Sequence, residues 1–233
     1  MFPSHDREDK KKMNNPNPKS PTKSPVKKKR KFNPVSMSMK YSGVSEKKFL
    51  DTTKGNTTIT SPGVILSDTL VGMVEGTGES QRVGRRIFVK GIFIKGRITL
   101  PVTSDPTLTS DQARFIVYQD RQCNASAATV TSILQTASIY SFRNLDNSKR
   151  FKILYDHTFD LNSQSTKNIT TVEFGECVVG LNINIPLNSS VAYNSTNGGT
   201  VADITETNFG IMAISSSGQA NTQYVARVRY SDK

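Results

Sequence analysis

The chain has 233 residues, and 31 Lys and Arg against 19 Asp and Glu leave it a formal charge of +12 and a pI near 9.7, so polyanions are the first partners to consider. No run approaches the roughly 18 to 20 apolar residues that span a bilayer, and the N-terminus lacks the apolar stretch of a secretory signal. The chain is therefore expected to be made and kept inside a cell, with no membrane partner. Its two cysteines, Cys123 and Cys177, are too few for a disulfide scaffold and lack clustered partners for zinc; both read as reduced thiols, and no metal or cofactor is expected.

The charge is concentrated at one end. Residues 1–50 hold 14 basic and 4 acidic side chains while residues 51–233 hold 17 and 15, so ten of the twelve net charges sit in the first fifth. Residues 1–45 are read as a disordered basic arm, because Pro3, Pro16, Pro18, Pro21, Pro25 and Pro34 with many Lys and almost no large apolar residue cannot bury enough surface to offset ordering entropy. Lys10, Lys11 and Lys12 form one basic cluster and Lys27, Lys28, Lys29, Arg30 and Lys31 a second, with Lys19 and Lys23 between them. Each cation that neutralises a phosphate releases a counterion, and without regular aromatic spacing for base stacking such binding is expected to ignore base sequence. The bland alternative is a solvated charge run.

The second cluster follows Pro25 and Val26 and resembles a monopartite nuclear import signal, which implies an import receptor as partner and the host nucleus as destination. Ser20-Pro21-Thr22-Lys23 and Ser24-Pro25-Val26-Lys27 fit the pattern of proline-directed kinases. Phosphorylation at Ser20 and Ser24 would add roughly −3 to −4 charges beside the strongest cation cluster; the alternative is generic linker composition.

From residue 46 to 233 the pattern is that of one all-β domain. Stretches rich in Val, Ile, Phe, Tyr and Thr recur at 57–60, 64–74, 86–100, 113–120, 150–161, 171–185, 208–215 and 223–231, separated by turn clusters such as Ser61-Pro62-Gly63 and Asn197-Gly198-Gly199. Seven or eight such strands point to an antiparallel sandwich or jelly roll. In 86–100, Ile87, Phe88 and Val89 and then Ile92, Phe93 and Ile94 fit one strand if a bulge lies near Gly91, with Lys90, Lys95 and Arg97 riding on the apolar ribbon. Val130, Ile133, Leu134, Ala137 and Tyr140 follow helical spacing, with Ser126 or Thr129 as cap, and predict one short helix inside a connection. The last stretch alternates most cleanly: Tyr224, Ala226, Val228 and Tyr230 on one face, Val225, Arg227 and Arg229 on the other. Arg227 and Arg229, about 7 Å apart along the strand, are candidates for contact with nucleic acid or a neighbouring subunit, against a plain solvent-exposed face. Connections at 101–112, 121–129 and 186–207 are expected on the outer surface.

Catalysis finds no constellation. The two histidines are His5 and His157, and His157 beside Asp156 in a strand points to the opposite face from it. No P-loop, Gly-x-Ser-x-Gly elbow or metal-ligand cluster occurs, so an enzyme is not expected and no catalytic residue is assigned.

Taken in order, several segments carry a family likeness. Gly78 to Leu100, with Arg82-Val83-Gly84-Arg85-Arg86-Ile87-Phe88 at its centre, resembles a strand of the capsid proteins of circular single-stranded DNA viruses of the geminivirus-like and genomovirus-like groups. Phe115 to Arg121, the helical stretch, Arg150 to His157 and Val225 to Asp232 follow in the same order. The resemblance implies a single eight-stranded jelly roll in two four-stranded sheets, assembled as a homo-oligomer of about sixty copies into an icosahedral virion, with the arm turned inward on single-stranded genomic DNA. About sixty copies at +12 bring on the order of 700 positive charges, a substantial fraction of the phosphates in a circular genome of about two thousand nucleotides. Such plant-virus arms often carry Cys and His suggestive of zinc binding, whereas this arm has no Cys and only His5, so metal-assisted binding is not carried over. Two alternatives stand beside this one: the capsid of a small RNA or satellite virus, and a cellular chromatin-associated protein.

Overall fold

The computed structural model describes residues 47–103, 106–167 and 172–232. The basic arm, read at 1–45, lies outside them. The strands are β1 (Lys48–Thr58), β2 (Val64–Ser67), β3 (Arg86–Leu100), β4 (Ser110–Asp120), β5 (Phe151–Asn162), β6 (Ser165–Lys167), β7 (Val172–Phe174), β8 (Cys177–Ala192), β9 (Asn208–Ser215) and β10 (Asn221–Asp232), with a one-turn helix α1 (Val130–Ile133) between β4 and β5. One antiparallel four-stranded sheet has the order β1-β10-β3-β8 and a second β2-β9-β4-β5. Within these two sheets only β4 and β5 are neighbours in both sequence and sheet; the other pairings join distant segments, the interleaving of a jelly roll. The expected eight-stranded fold is thus present, with β6 and β7 added as a small antiparallel pair.

The core lies between the sheets and follows the two-residue period of a strand. In β3, Ile87 and Val89 face inward, and after Lys90 the inward set becomes Ile92, Ile94, Ile98 and Leu100, a switch from odd to even positions. The switch is a bulge: Gly91 pairs with Arg229 and Val89 with Tyr230, leaving Lys90 without an opposite residue on β10. Without it one of the two apolar runs would face water. At Gly96 a Cβ would stand 2.3 Å from the Gln223 carbonyl oxygen and 2.6 Å from the Tyr224 Cβ, so only glycine lets β10 cross here. Tyr224 reaches over the core to Phe115 of β4, their rings edge to face at 6.0 Å, a contact worth about 0.5–1.5 kcal/mol beyond burial.

The two sheets differ on their outer faces. Outside β2-β9-β4-β5, a second apolar cluster joins Ile116, Tyr118, Phe151, Met212 and Ile214 of the sheet to Ala128, Ile133, Leu134 and Ile139 of the β4–β5 connection. The chain therefore covers this sheet itself, which is why all eight residues of β9 are buried.

Five local expectations are corrected. The first strand is β1 at 48–58 rather than 57–60, since its Asp, Thr, Lys and Asn residues hid a strand held by pairing with β10. The stretch 64–74 is extended only over β2; beyond it Leu70, Val71 and Met73 are buried without strand geometry. The helix ends at Ile133: Thr129 caps it as expected, but Leu134 is extended, so Ala137 and Tyr140 are not helical. The stretch 171–185 divides into β7 and β8. Residues 186–192, assigned to a surface connection, continue β8, where Pro186 is tolerated because β8 is an edge strand.

Buried Asp111 ties the β9–β10 turn. Its carboxylate accepts from Ser215 Oγ at 2.5 Å, Ser216 Oγ at 2.8 Å, Ser217 N at 3.0 Å and Ala220 N at 2.9 Å. Burial pushes its pKa up, but the hydrogen bonds from Ser215, Ser216 and Ser217 outweigh that and hold the carboxyl below the ordinary carboxylate value. A depressed pKa stabilises the fold above the unfolded value near 4 and loses that contribution as pH falls through the folded value. Asp111→Asn is expected to cost about 2–3 kcal/mol at pH 7. Denaturant melts at several pH values check this: the gap from wild type should close below about pH 4, and a constant gap would contradict the assignment.

Candidate nucleic-acid interface

The outer face of β1-β10-β3-β8 is not covered by any described segment of the chain. Because Tyr224, Ala226, Val228 and Tyr230 are buried, Val225, Arg227 and Arg229 face outward, as their alternation predicts. The pairing register sets their neighbours. Arg229 lies between Phe49 and Gly91, Arg227 between Asp51 and Phe93, Val225 between Thr53 and Lys95, and Gln223 beside Arg97. Lys90, Lys95, Arg97, Arg227 and Arg229 are all exposed here, with Asp51 as the acidic residue among them.

Aromatic rings hold the guanidinium groups flat. Arg227 lies 4.6 Å over the ring centroid of Phe49 and Arg229 4.8 Å over that of Phe93, while the Lys90 ammonium is 5.4 Å from Phe88. An arginine stacked on a phenyl ring keeps its in-plane N–H donors for an anion. Arg227 spends two of these on Asp51, Nε to Oδ1 at 2.7 Å and Nη2 to Oδ2 at 2.6 Å. The Arg227 hydrogen bond holds the Asp51 carboxyl below its usual value against slight desolvation. Among the described residues no carboxylate pairs with Lys95, Arg97 or Arg229. Those three have no carboxylate partner among the described residues and could meet a phosphate.

Of the site residues read from the sequence, Arg227 and Arg229 are on this face. Lys10, Lys11, Lys12, Lys19, Lys23, Lys27, Lys28, Lys29, Arg30, Lys31, Ser20 and Ser24 lie outside the described residues. Lys95 and Arg97 were visible as cations on a ribbon, but only the β3–β10 register shows that they join the arginines. Phe49 and Asp51 gave no signal, since β1 itself was misplaced. Lys48, which sequence reasoning did not single out, is buried, its Nζ 2.9 Å from Asp232 Oδ2 and 3.2 Å from the Gln81 carbonyl.

The described residues contain no group of three or more His, Cys, Asp or Glu able to hold a metal ion. Cys123 and Cys177 are free thiols, and burial pushes the Cys123 thiol up, away from the reactive thiolate. Asp156 faces Arg114 in a bidentate pair at 2.7 and 2.6 Å, whereas His157 sits between the rings of Tyr155 and Phe159. No helix among the described residues is long and apolar enough to cross a membrane.

The eight-stranded jelly roll is an architecture that viral capsid proteins share with lectin domains and cupins. The family model described as satellite tobacco necrosis virus coat protein matches residues 11–233, and the chain belongs to that family of viral coat proteins. It is 31% identical over 110 residues to a coat protein of Maize white line mosaic Satellite virus, a match covering 46% of this chain and 49% of that relative. The matched stretch thus spans about half the relative's length. A chain from the crystal structure of the T13 IBDV viral particle is aligned over 80% of this chain and 39% of its own length at 11% identity, with a TM-score of 0.16, too slight to bear on the fold. The coat-protein expectation holds, but the family is the satellite-virus alternative rather than the geminivirus-like and genomovirus-like group. The strand motifs behind that resemblance are short Arg- and Val-rich jelly-roll segments, which distant capsid proteins share without sharing a genome type.

The triple variant Lys95→Ala, Arg97→Ala, Arg229→Ala is expected to fold normally, all three side chains being exposed. Its affinity for a single-stranded oligonucleotide should fall less steeply with salt, the logarithmic slope losing about 2 of its magnitude if each cation meets one phosphate. Anisotropy titrations from low to high salt check this; an unchanged slope would remove the face from the interface.

Proposed function

We propose that this chain is the shell subunit of a small satellite virus, assembling with copies of itself into an icosahedral container around a single-stranded RNA genome. The observation that carries the proposal is the family match running through residues 11–233. Two properties of the chain support it: a jelly roll with an open cationic sheet, and an N-terminal segment holding ten of the twelve net charges.

In this reading Lys10, Lys11, Lys12, Lys19, Lys23 and Lys27 to Lys31 neutralise phosphates without reading bases, and Lys95, Arg97, Arg227 and Arg229 add phosphate contacts from the folded domain. A phosphate chain carries one charge per nucleotide whether its sugar is ribose or deoxyribose, so the electrostatics serve RNA as well as the DNA first expected. The satellite family favours RNA. Phosphates added at Ser20 and Ser24 would sit beside the second basic cluster and weaken its grip. Nuclear import through Lys27 to Lys31 draws no support from the family match and has no part in this mechanism.

Purified particles test the proposal. Closed shells whose nucleic acid is destroyed by ribonuclease after disruption are expected. Deleting residues 1–40 should leave the jelly roll folded while sharply reducing packaged RNA. Shells filled with DNA would overturn the genome assignment; packaging at wild-type level by the truncated chain would overturn the role of the arm; a protein that stays monomeric under all conditions would overturn the shell.

A further inference from the structure

We propose that the outward side of the loop from residue 134 to 148, which presents Tyr140, Phe142 and Leu145, is a contact surface for a second copy of this chain; the inference rests on the shell-subunit reading above. These three side chains are 75%, 80% and 69% exposed, the most exposed large apolar residues among those described. They share one short segment. The loop has two sides: Ile139 and Ser141 are buried against the sheet, while Tyr140 and Phe142 between and beyond them point away. Packing on the protein's own core accounts for Ile139, which belongs to the cluster outside β2-β9-β4-β5. It does not account for Tyr140, Phe142 or Leu145.

The loop is also held far more firmly than a variable surface segment requires. Arg114, fixed by its bidentate pair with Asp156, donates from Nη1 to the carbonyls of Ile139 at 2.9 Å and Ser141 at 2.7 Å. Arg143 turns its guanidinium back to the carbonyls of Ser148 and Phe151. Backbone bonds from Gln135 N to Phe142 O and from Asn144 N to Ile133 O, both 2.9 Å, close the loop on itself. The Tyr140 hydroxyl donates to Gln112 Oε1 at 2.5 Å and fixes its ring. Apolar groups displayed on a rigid frame lose little freedom when a partner covers them.

Charge selects the partner. Two copies of a chain with a net charge of +12 repel wherever their cations face each other, yet no residue from Gln122 to Phe142 carries a charged side chain, and within 134–148 the only charges are Arg143, turned inward, and exposed Asp146, which a cationic neighbour does not repel. Aromatic residues in a low-charge setting match the composition of subunit-interface cores. Tyr140 and Phe142 alone still offer roughly 300 Å² to a partner, over a third of the ~800 Å² that each side of a standard interface buries. The open cationic sheet is poorly suited to meet a like copy, which leaves it for phosphate.

The test compares the full chain with Phe142→Ser, Tyr140→Ser/Phe142→Ser and Leu145→Ser, and with Val225→Ser on the open sheet as control. Circular dichroism and melting establish folding, oligonucleotide binding by dissociated subunits establishes the cationic face, and sedimentation with electron microscopy gives the protein concentration at which shells appear. Folded variants with normal oligonucleotide binding are expected to need at least tenfold more protein to form shells, with Val225→Ser assembling as wild type. Should the double variant not fold, Phe142→Ser and Leu145→Ser decide. Shells at the wild-type threshold from either folded single variant would overturn the contact surface while leaving the coat-protein reading intact. Failure of the wild-type chain itself to form shells would instead strike the shell-subunit reading, and this proposal with it.

Discussion

A strand turns alternate side chains to opposite faces, and in β10 that constraint leaves no choice. Tyr224, Ala226, Val228 and Tyr230 close the core from the centre of their sheet, so Arg227 and Arg229 must face outward. The neighbouring β3 obeys the same rule only because of the bulge at Lys90, which keeps Ile87 and Val89 and then Ile92 and Ile94 inside and sends Lys95 and Arg97 to the side of the arginines. One periodicity, enforced by burial of apolar surface on the order of 25 cal/mol per Å², thus builds the hydrophobic interior and the cationic exterior together. A one-residue slip of β10 would exchange the two.

The second consequence is asymmetry. The β4–β5 connection spends Ala128, Ile133, Leu134 and Ile139 on the outside of β2-β9-β4-β5, and this leaves a neutral, aromatic surface beyond it. The opposite sheet carries charge and no cover. In the proposed function a subunit contacts copies of itself on some faces and a polyanion on another, which calls for chemically different faces. A jelly roll covered by its own connection on one side supplies them without a second domain.

Much of this was legible in the sequence, for reasons that show where legibility ends. β10 was read correctly because every second residue is apolar and nothing interrupts it. The bulge in β3 was read because Ile87 and Val89 fall on odd positions and Ile92 and Ile94 on even ones, which cannot otherwise share a face. β1 was not, since Asp51, Thr52, Thr53 and Lys54 carry no apolar alternation; that strand exists by pairing with β10, a non-local fact. The helix was overextended because Ala137 and Tyr140 continue a helical spacing by coincidence, while Leu134 bridges to Arg143 and Arg114 captures the carbonyls that follow. The family was narrowed to the wrong group because strand motifs report the fold, and a jelly roll does not specify the genome it encloses. The grouping of Lys95 and Arg97 with Arg227 and Arg229 depends on strand register, which a single sequence leaves open.

Photocrosslinking of nucleic acid to protein inside purified particles, followed by peptide mapping, addresses the central claim most directly. Crosslinked peptides from β3 and β10, over residues 86–100 and 221–232, with none from residues 126–148, are the predicted result. Crosslinks concentrated in 126–148 with the β1-β10-β3-β8 face untouched would contradict the assignment of phosphate to the open sheet and of subunit contact to the covered one.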